Sequence, residues 1–125
     1  MWSYDYTYDI MPRMKLAAGP ALFGSETRTR VLLAIALLES SYPREISRVA
    51  KVPLISVQRI VNNLERQGVL ASRVFGRQRE VRLNRQYFAA KELRELLLRM
   101  RFADPTLAER IERLRRRPRR AGKEL

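Results

Sequence analysis

From Pro43 to Leu83 the spacing of apolar residues changes twice. Ile46, Val49 and Ala50 keep helical spacing over a short stretch, and Val52-Pro53 then interrupts it. Val57, Val61 and Leu64 recur at i, i+4 and i+7, with Ile60 beside them. This predicts a short helix from Arg44 to about Lys51, begun by Pro43, and a second from Leu54 to Gln67. Pro53 enforces the break because it lacks an amide hydrogen and crowds the preceding turn. Gly68 suits the C′ position of the second helix. Alternation follows in Val69 to Phe75 and Arg79 to Leu83, which predicts a hairpin. With Arg77-Gln78 as its turn, Leu70, Val74, Val81 and Leu83 share one face, and Arg73 and Arg82 share the other. No Gly lies inside that pair, so a longer loop is the alternative.

The flanks carry their own patterns. Trp2, Tyr4, Tyr6, Tyr8 and Ile10 alternate with polar residues, which predicts a strand-like arm, and Met11 to Gly24 reads as a connector. Ser25 can cap a helix running to about Ser40. Its run Val31 to Leu38 is apolar on every side, so it is either central to the core or shared with a second subunit. Asn84 can cap a long helix to about Phe102, with Phe88, Leu93, Leu96, Leu97 and Met100 as its stripe. Asp104-Pro105 restarts it, and Leu107, Ile111 and Leu114 continue the stripe to about Arg117. Residues 118–125 read as a basic tail. This apolar stripe exceeds what one small domain needs. Leu93, Leu97, Met100, Leu107, Ile111 and Leu114, with Val31, Ile35 and Leu38 of the first helix, are therefore expected at a homodimer interface.

Composition narrows the chemistry. Hydrophobic residues make up 46% of the 125, enough for a packed core. Bases number 26 against 13 acids, and all the bases except Lys15, Lys51, Lys91 and Lys123 are Arg. A net charge of +13 attracts polyanions, and the planar guanidinium can bind two phosphate oxygens at once. With no Cys and no His, the chain offers no thiol or imidazole metal ligand and no His-based acid–base catalyst. No Gly-rich phosphate loop is present, and Glu39, Glu45 and Asp104 read as surface or capping carboxylates, so no enzyme and no cofactor are expected. The eight-residue apolar run is too short to cross a bilayer, and two acids precede any base. The expected location is the cytoplasm, in association with the nucleoid.

Four segments resemble the winged-helix regulators of the arsenic-repressor (ArsR) and multiple-antibiotic-resistance (MarR) type. They are Leu22-Phe23-Gly24-Ser25-Glu26-Thr27-Arg28 before the first helix, Arg44-Glu45-Ile46-Ser47 before the turn, Ser56 to Gly68 as recognition helix, and Gly76 to Asn84 as wing. The sequence departs from that pattern at Lys51 and Pro53, where a turn Gly and a capping Ser are common, and at Val81, where the wing usually has Tyr. The resemblance implies a mainly α fold with a small β wing. Residues 25–84 would form a winged helix-turn-helix, 85–117 added dimerisation helices, and 1–24 the arm and connector.

In such a fold the second helix enters the major groove of double-stranded DNA. Ser56, Gln58, Arg59, Asn62 and Asn63 lie off its apolar stripe and are the expected base-reading residues. Leu54 and Ile55 can meet a thymine methyl or pack. Arg77 and Arg79 at the wing tip, and Arg28, Arg30 and Arg48 near the first two helices, are expected phosphate contacts. The resulting expectation is a dimeric, sequence-specific regulator of transcription. Two alternatives stay open: an architectural, replication or partition protein of low sequence preference, and an adaptor that docks a protein partner through its aromatic arm.

Overall fold

A computed structural model describes residues 22–116. The arm at residues 2–10 and the tail at residues 118–125 lie outside the described residues. The described chain is mainly helical, with one two-stranded antiparallel sheet. Its order is α1 (Glu26–Leu38), α2 (Pro43–Ala50), α3 (Leu54–Arg66), β1 (Leu70–Phe75), β2 (Gln78–Leu83), α4 (Ala90–Met100), a 3-10 turn (Arg101–Ala103) and α5 (Pro105–Arg116).

Helix α1 begins where its sequence can satisfy a free amide. The Ser25 hydroxyl accepts from the Arg28 amide at 3.0 Å. The apolar run then resolves in favour of a central position, because Val31 to Ala36 are all buried. Helices α2, α3, α4 and α5 and strand β2 all pack against α1, so no side of its Val31–Ala36 stretch is left for water. The helix stops at Leu38, two residues short of expectation. Glu39 turns to φ 70°, and the chain straightens so that Ser41 can pair with Val81. The Ser41 amide donates to the Val81 carbonyl at 3.1 Å, and the Val81 amide returns a bond of 2.7 Å. One residue thus serves as a third strand and fixes the hairpin base to the end of α1.

Helix α2 starts at Pro43, where the Glu45 carboxylate accepts from the Tyr42 amide at 3.2 Å. It ends at Lys51 in the left-handed region, φ 59° and ψ 49°. The departure from a turn Gly is therefore accommodated by strain at this one residue. A side chain there costs about 1–2 kcal/mol, while Gly would give back about 0.4–1 kcal/mol through its looser unfolded state. Lys51→Gly is expected to stabilise the protein by about 0.5–1 kcal/mol, measurable as a higher urea midpoint at constant slope. A fall in midpoint would contradict the strained turn.

Val57 and Val61 of α3 are fully buried and Leu64 nearly so, and Gly68 takes φ 82° just past the helix end. The hairpin turn is Gly76-Arg77, one residue earlier than expected, because Phe75 pairs with Gln78 and Gly76 supplies φ 59°. Each cross-strand partner shifts by two, an even step, so the expected faces survive. Leu70 and Val81 are buried on one face, and Arg73 and Arg82 point from the other.

Two expectations for the C-terminal half are corrected. Asn84 does not cap a helix; its amide nitrogen donates to the Gly68 carbonyl at 2.9 Å and its oxygen accepts from the Gln86 amide. Helix α4 therefore starts only at Ala90, and Phe88 is 91% exposed rather than part of the stripe. The restart holds, with the Asp104 carboxylate accepting from the Leu107 amide at 3.1 Å.

The surplus of apolar surface is also corrected. Val31, Ile35, Leu97, Leu107 and Ile111 are buried within the single chain and are not available to a partner. Leu38, Leu93, Met100 and Leu114 are half-buried against the same core. The physical reason is that α5 packs on α1 and α2, and α4 packs on α1, so one domain uses both stripes. Three arginines tie helices together, two of them from α5 and one from α1. Arg110 donates to the Val49 carbonyl at 2.7 Å, Arg115 to the Leu37 carbonyl at 2.9 Å, and Arg30 to the Ala50 carbonyl. Each satisfies carbonyls at a helix C-terminus, where positive charge is favourable.

Candidate nucleic-acid interface

Helical periodicity sets what α3 presents. With Val57, Val61 and Leu64 turned to the core, Ile55, Arg59, Asn62 and Arg66 fall on the opposite face, and all four are exposed. Ile55 is 65% exposed, a large apolar side chain on an otherwise polar face. Gln58 lies to one side of this face, toward the hairpin, and Asn63 to the other, toward α1.

Beside α3 runs an open groove of about 430 Å³. Its walls are the start of α2, the first half of α3 and the hairpin tip. Arg44, Arg48, Leu54, Gln58, Arg77 and Arg79 line it, with Tyr42 at one end. Glu45 is the only carboxylate on the lining, and it is occupied by the Tyr42 amide. Arg44, Arg48, Arg59 and Arg77 make no ion pair among the described residues, so the groove and the face next to it are strongly cationic.

The expected site residues divide accordingly. Gln58, Arg48 and Arg77 meet in the groove, and Arg59 and Asn62 stand on the exposed face of α3. Ser56 is half-buried at its edge. The others have internal partners. Arg28 donates to Asn63 Oδ1 at 3.1 Å, and Gln67 donates to the same oxygen at 3.1 Å. Arg30 caps α2, as above. Arg79 faces Glu65 Oε1 at 2.5 Å. Arg44 was missed in the sequence. Its signal was available, since a residue just after Pro43 at a helix start projects from the first turn, where no backbone bond restrains it.

Two carboxylates hold the hairpin. On its inner face Glu65 accepts from Ser72 Oγ at 2.7 Å and from Arg79. The Ser72 bond, with Arg79 after it, holds the Glu65 carboxyl below the ordinary carboxylate value. On the outer face Glu80 bonds Ser40 and sits 3.6 Å from Arg73 and 3.3 Å from Arg82. The Ser40 hydroxyl, then Arg82, likewise lowers the Glu80 carboxyl. Both groups are thus carboxylates at neutral pH, and each neutralises arginine on the hairpin strands while Arg77 in the turn makes no ion pair among the described residues.

No known protein family, curated protein or solved structure matches this chain. No helix among the described residues is long and apolar enough to cross a membrane.

Proposed function

We propose that the chain is a winged helix-turn-helix protein that binds double-stranded DNA sequence-specifically, as a dimeric regulator of transcription. The observation that carries this reading is the convergence of Arg44, Arg48 and Arg77, all unpaired among the described residues, on a groove whose wall is the first half of α3. Three free guanidinium groups around one concave edge suit a phosphate backbone, because each can bind two oxygens of a phosphate. The adjoining face of α3 then meets base edges. Arg59 is suited to guanine, Asn62 and Gln58 to adenine, and Ile55 to a thymine methyl. The hairpin would flank α3 as the wing, with Arg77 reaching the backbone beside it.

Dimerisation belongs to the proposal on different grounds from those of the buried stripe. Leu96 is 42% exposed and Phe102 66% exposed, on α4 and the turn that follows it. Apolar surface of this kind next to half-buried Leu93 and Met100 suits a self-complementary contact.

Selection of duplexes from a random library tests the reading. Enrichment of a site with two-fold symmetry is the expected result. On that site Arg48→Ala and Arg77→Ala should each flatten the log–log salt dependence by about 0.9, the share of one phosphate contact. Equal affinity for every duplex would favour an architectural role. Failure to retain any duplex at low salt would remove DNA as the partner and favour protein docking.

A further inference from the structure

The hairpin overhangs the body. Leu70 and Val81 are buried at its base, but further out on the same face Val74 is 70% exposed, so no apolar contact anchors the tip. The outermost attachment on that face is polar. Ser72 and Arg79 come from opposite strands, and both reach the Glu65 carboxylate on the last turn of α3, at 2.7 and 2.5 Å. Arg79 Nε also lies 3.4 Å from Ser72 Oγ, which closes a three-membered network. Arg79 lines the cationic groove as well, so the same residue belongs to the Glu65 network and to the wall offered to phosphate.

We propose that Glu65 is a positioning residue: it clamps the hairpin tip to the end of α3 and withholds Arg79 from phosphate. This rests on the DNA-binding reading for its second half only. The clamp fixes the distance between the hairpin tip, which carries Arg77, and the base-reading face of α3, so both can engage one duplex without first being ordered. Withholding Arg79 favours sequence discrimination. A guanidinium held by a carboxylate adds nothing to binding at arbitrary sequences, whereas a freed one would strengthen every phosphate encounter alike. The carboxylate competes because it is already charged at neutral pH and is held by two donors.

The test uses Glu65→Gln in the full chain, which keeps size and an acceptor for Ser72 but removes the charge opposite Arg79. Without DNA, amide hydrogen exchange at residues 73–79 should quicken by about three- to ten-fold, the share of one half-exposed ion pair with its hydrogen bonds, while Leu70 and Val81 stay as protected as before. Unchanged exchange at the tip would overturn the clamp. With the selected duplex, Arg79→Ala alone should leave the salt slope unchanged, Glu65→Gln should steepen it by about 0.9, and the double variant should return it to the starting value. A slope that flattens by about 0.9 on Arg79→Ala alone would show that Arg79 already binds phosphate and would overturn the withholding. If no duplex binds at all, the DNA reading fails and the withholding falls with it, while the exchange result still decides the clamp.

Discussion

Leu107→Ala should destabilise the protein by about 2–5 kcal/mol, and the dependence of the transition midpoint on protein concentration should stay that of the parent chain. Leu107 is fully buried, in the first turn of α5. That helix touches both α1 and α2, so removing the side chain leaves a cavity bounded by three helices. None of the three can close the gap easily. Helix α1 is enclosed along Val31–Ala36, and α5 is tied along its length, by the Asp104 cap and by Arg110 and Arg115 on carbonyls of the body. The result also separates two roles for the C-terminal stripe. If Leu107 were a subunit contact, its loss would appear as a weaker dimer, and the concentration dependence of the urea midpoint would differ between the variant and the parent chain. Denaturation at two concentrations a hundredfold apart distinguishes them. A loss below about 1 kcal/mol, or a strong concentration dependence confined to the variant, would contradict the packing described.

Arg59→Ala should lose about 1–3 kcal/mol on the selected duplex and far less on random DNA. The argument is positional. Arg59 lies opposite the buried stripe of α3, is exposed, and pairs with no carboxylate among the described residues. Its neighbours on the helix surface, Ile55 and Asn62, are exposed as well, so nothing in the free chain diverts the guanidinium. Asn63 contrasts with it on the same helix. Its side-chain oxygen already accepts from Arg28 and Gln67, and Asn63→Ala should act through that network more than through bases. Titration of both duplexes at one salt concentration measures the difference. Equal losses on the two would make Arg59 a phosphate contact.

The elements were legible in the sequence wherever a local rule acts alone. Ser25 and Asp104 cap because a short polar side chain before a helical run has a free amide in reach. Val57, Val61 and Leu64 are buried because their spacing admits only one face. The hairpin faces were right although its turn was displaced by one residue, since parity fixes faces and only Gly76's positive φ fixes the turn. What could not be read depends on partners distant in sequence. The Ser41–Val81 pairing spans 40 residues and shows no strand pattern of its own. Asn84 carries the composition of a cap, yet the Gly68 carbonyl claims it. For the site, Arg48, Gln58 and Arg77 could be named because they are polar and off the core stripe. The diversion of Arg28, Arg30 and Arg79 could not, because a guanidinium reaches far enough that its partner is chosen by the fold and not by its neighbours in the chain.

The three carbonyl-capping arginines also decide how the helix ends come apart. Arg110 and Arg115 reach from α5 to carbonyls at the ends of α2 and α1, and Arg30 reaches from α1 to the end of α2. The last turn of a helix ordinarily frays alone, because its carbonyls have no partner within the helix. Here the Leu37, Val49 and Ala50 carbonyls are each held by a side chain of another helix, so fraying of one end draws on its neighbour. The ends of α1 and α2 and the attachment of α5 are thereby joined into one cooperative unit.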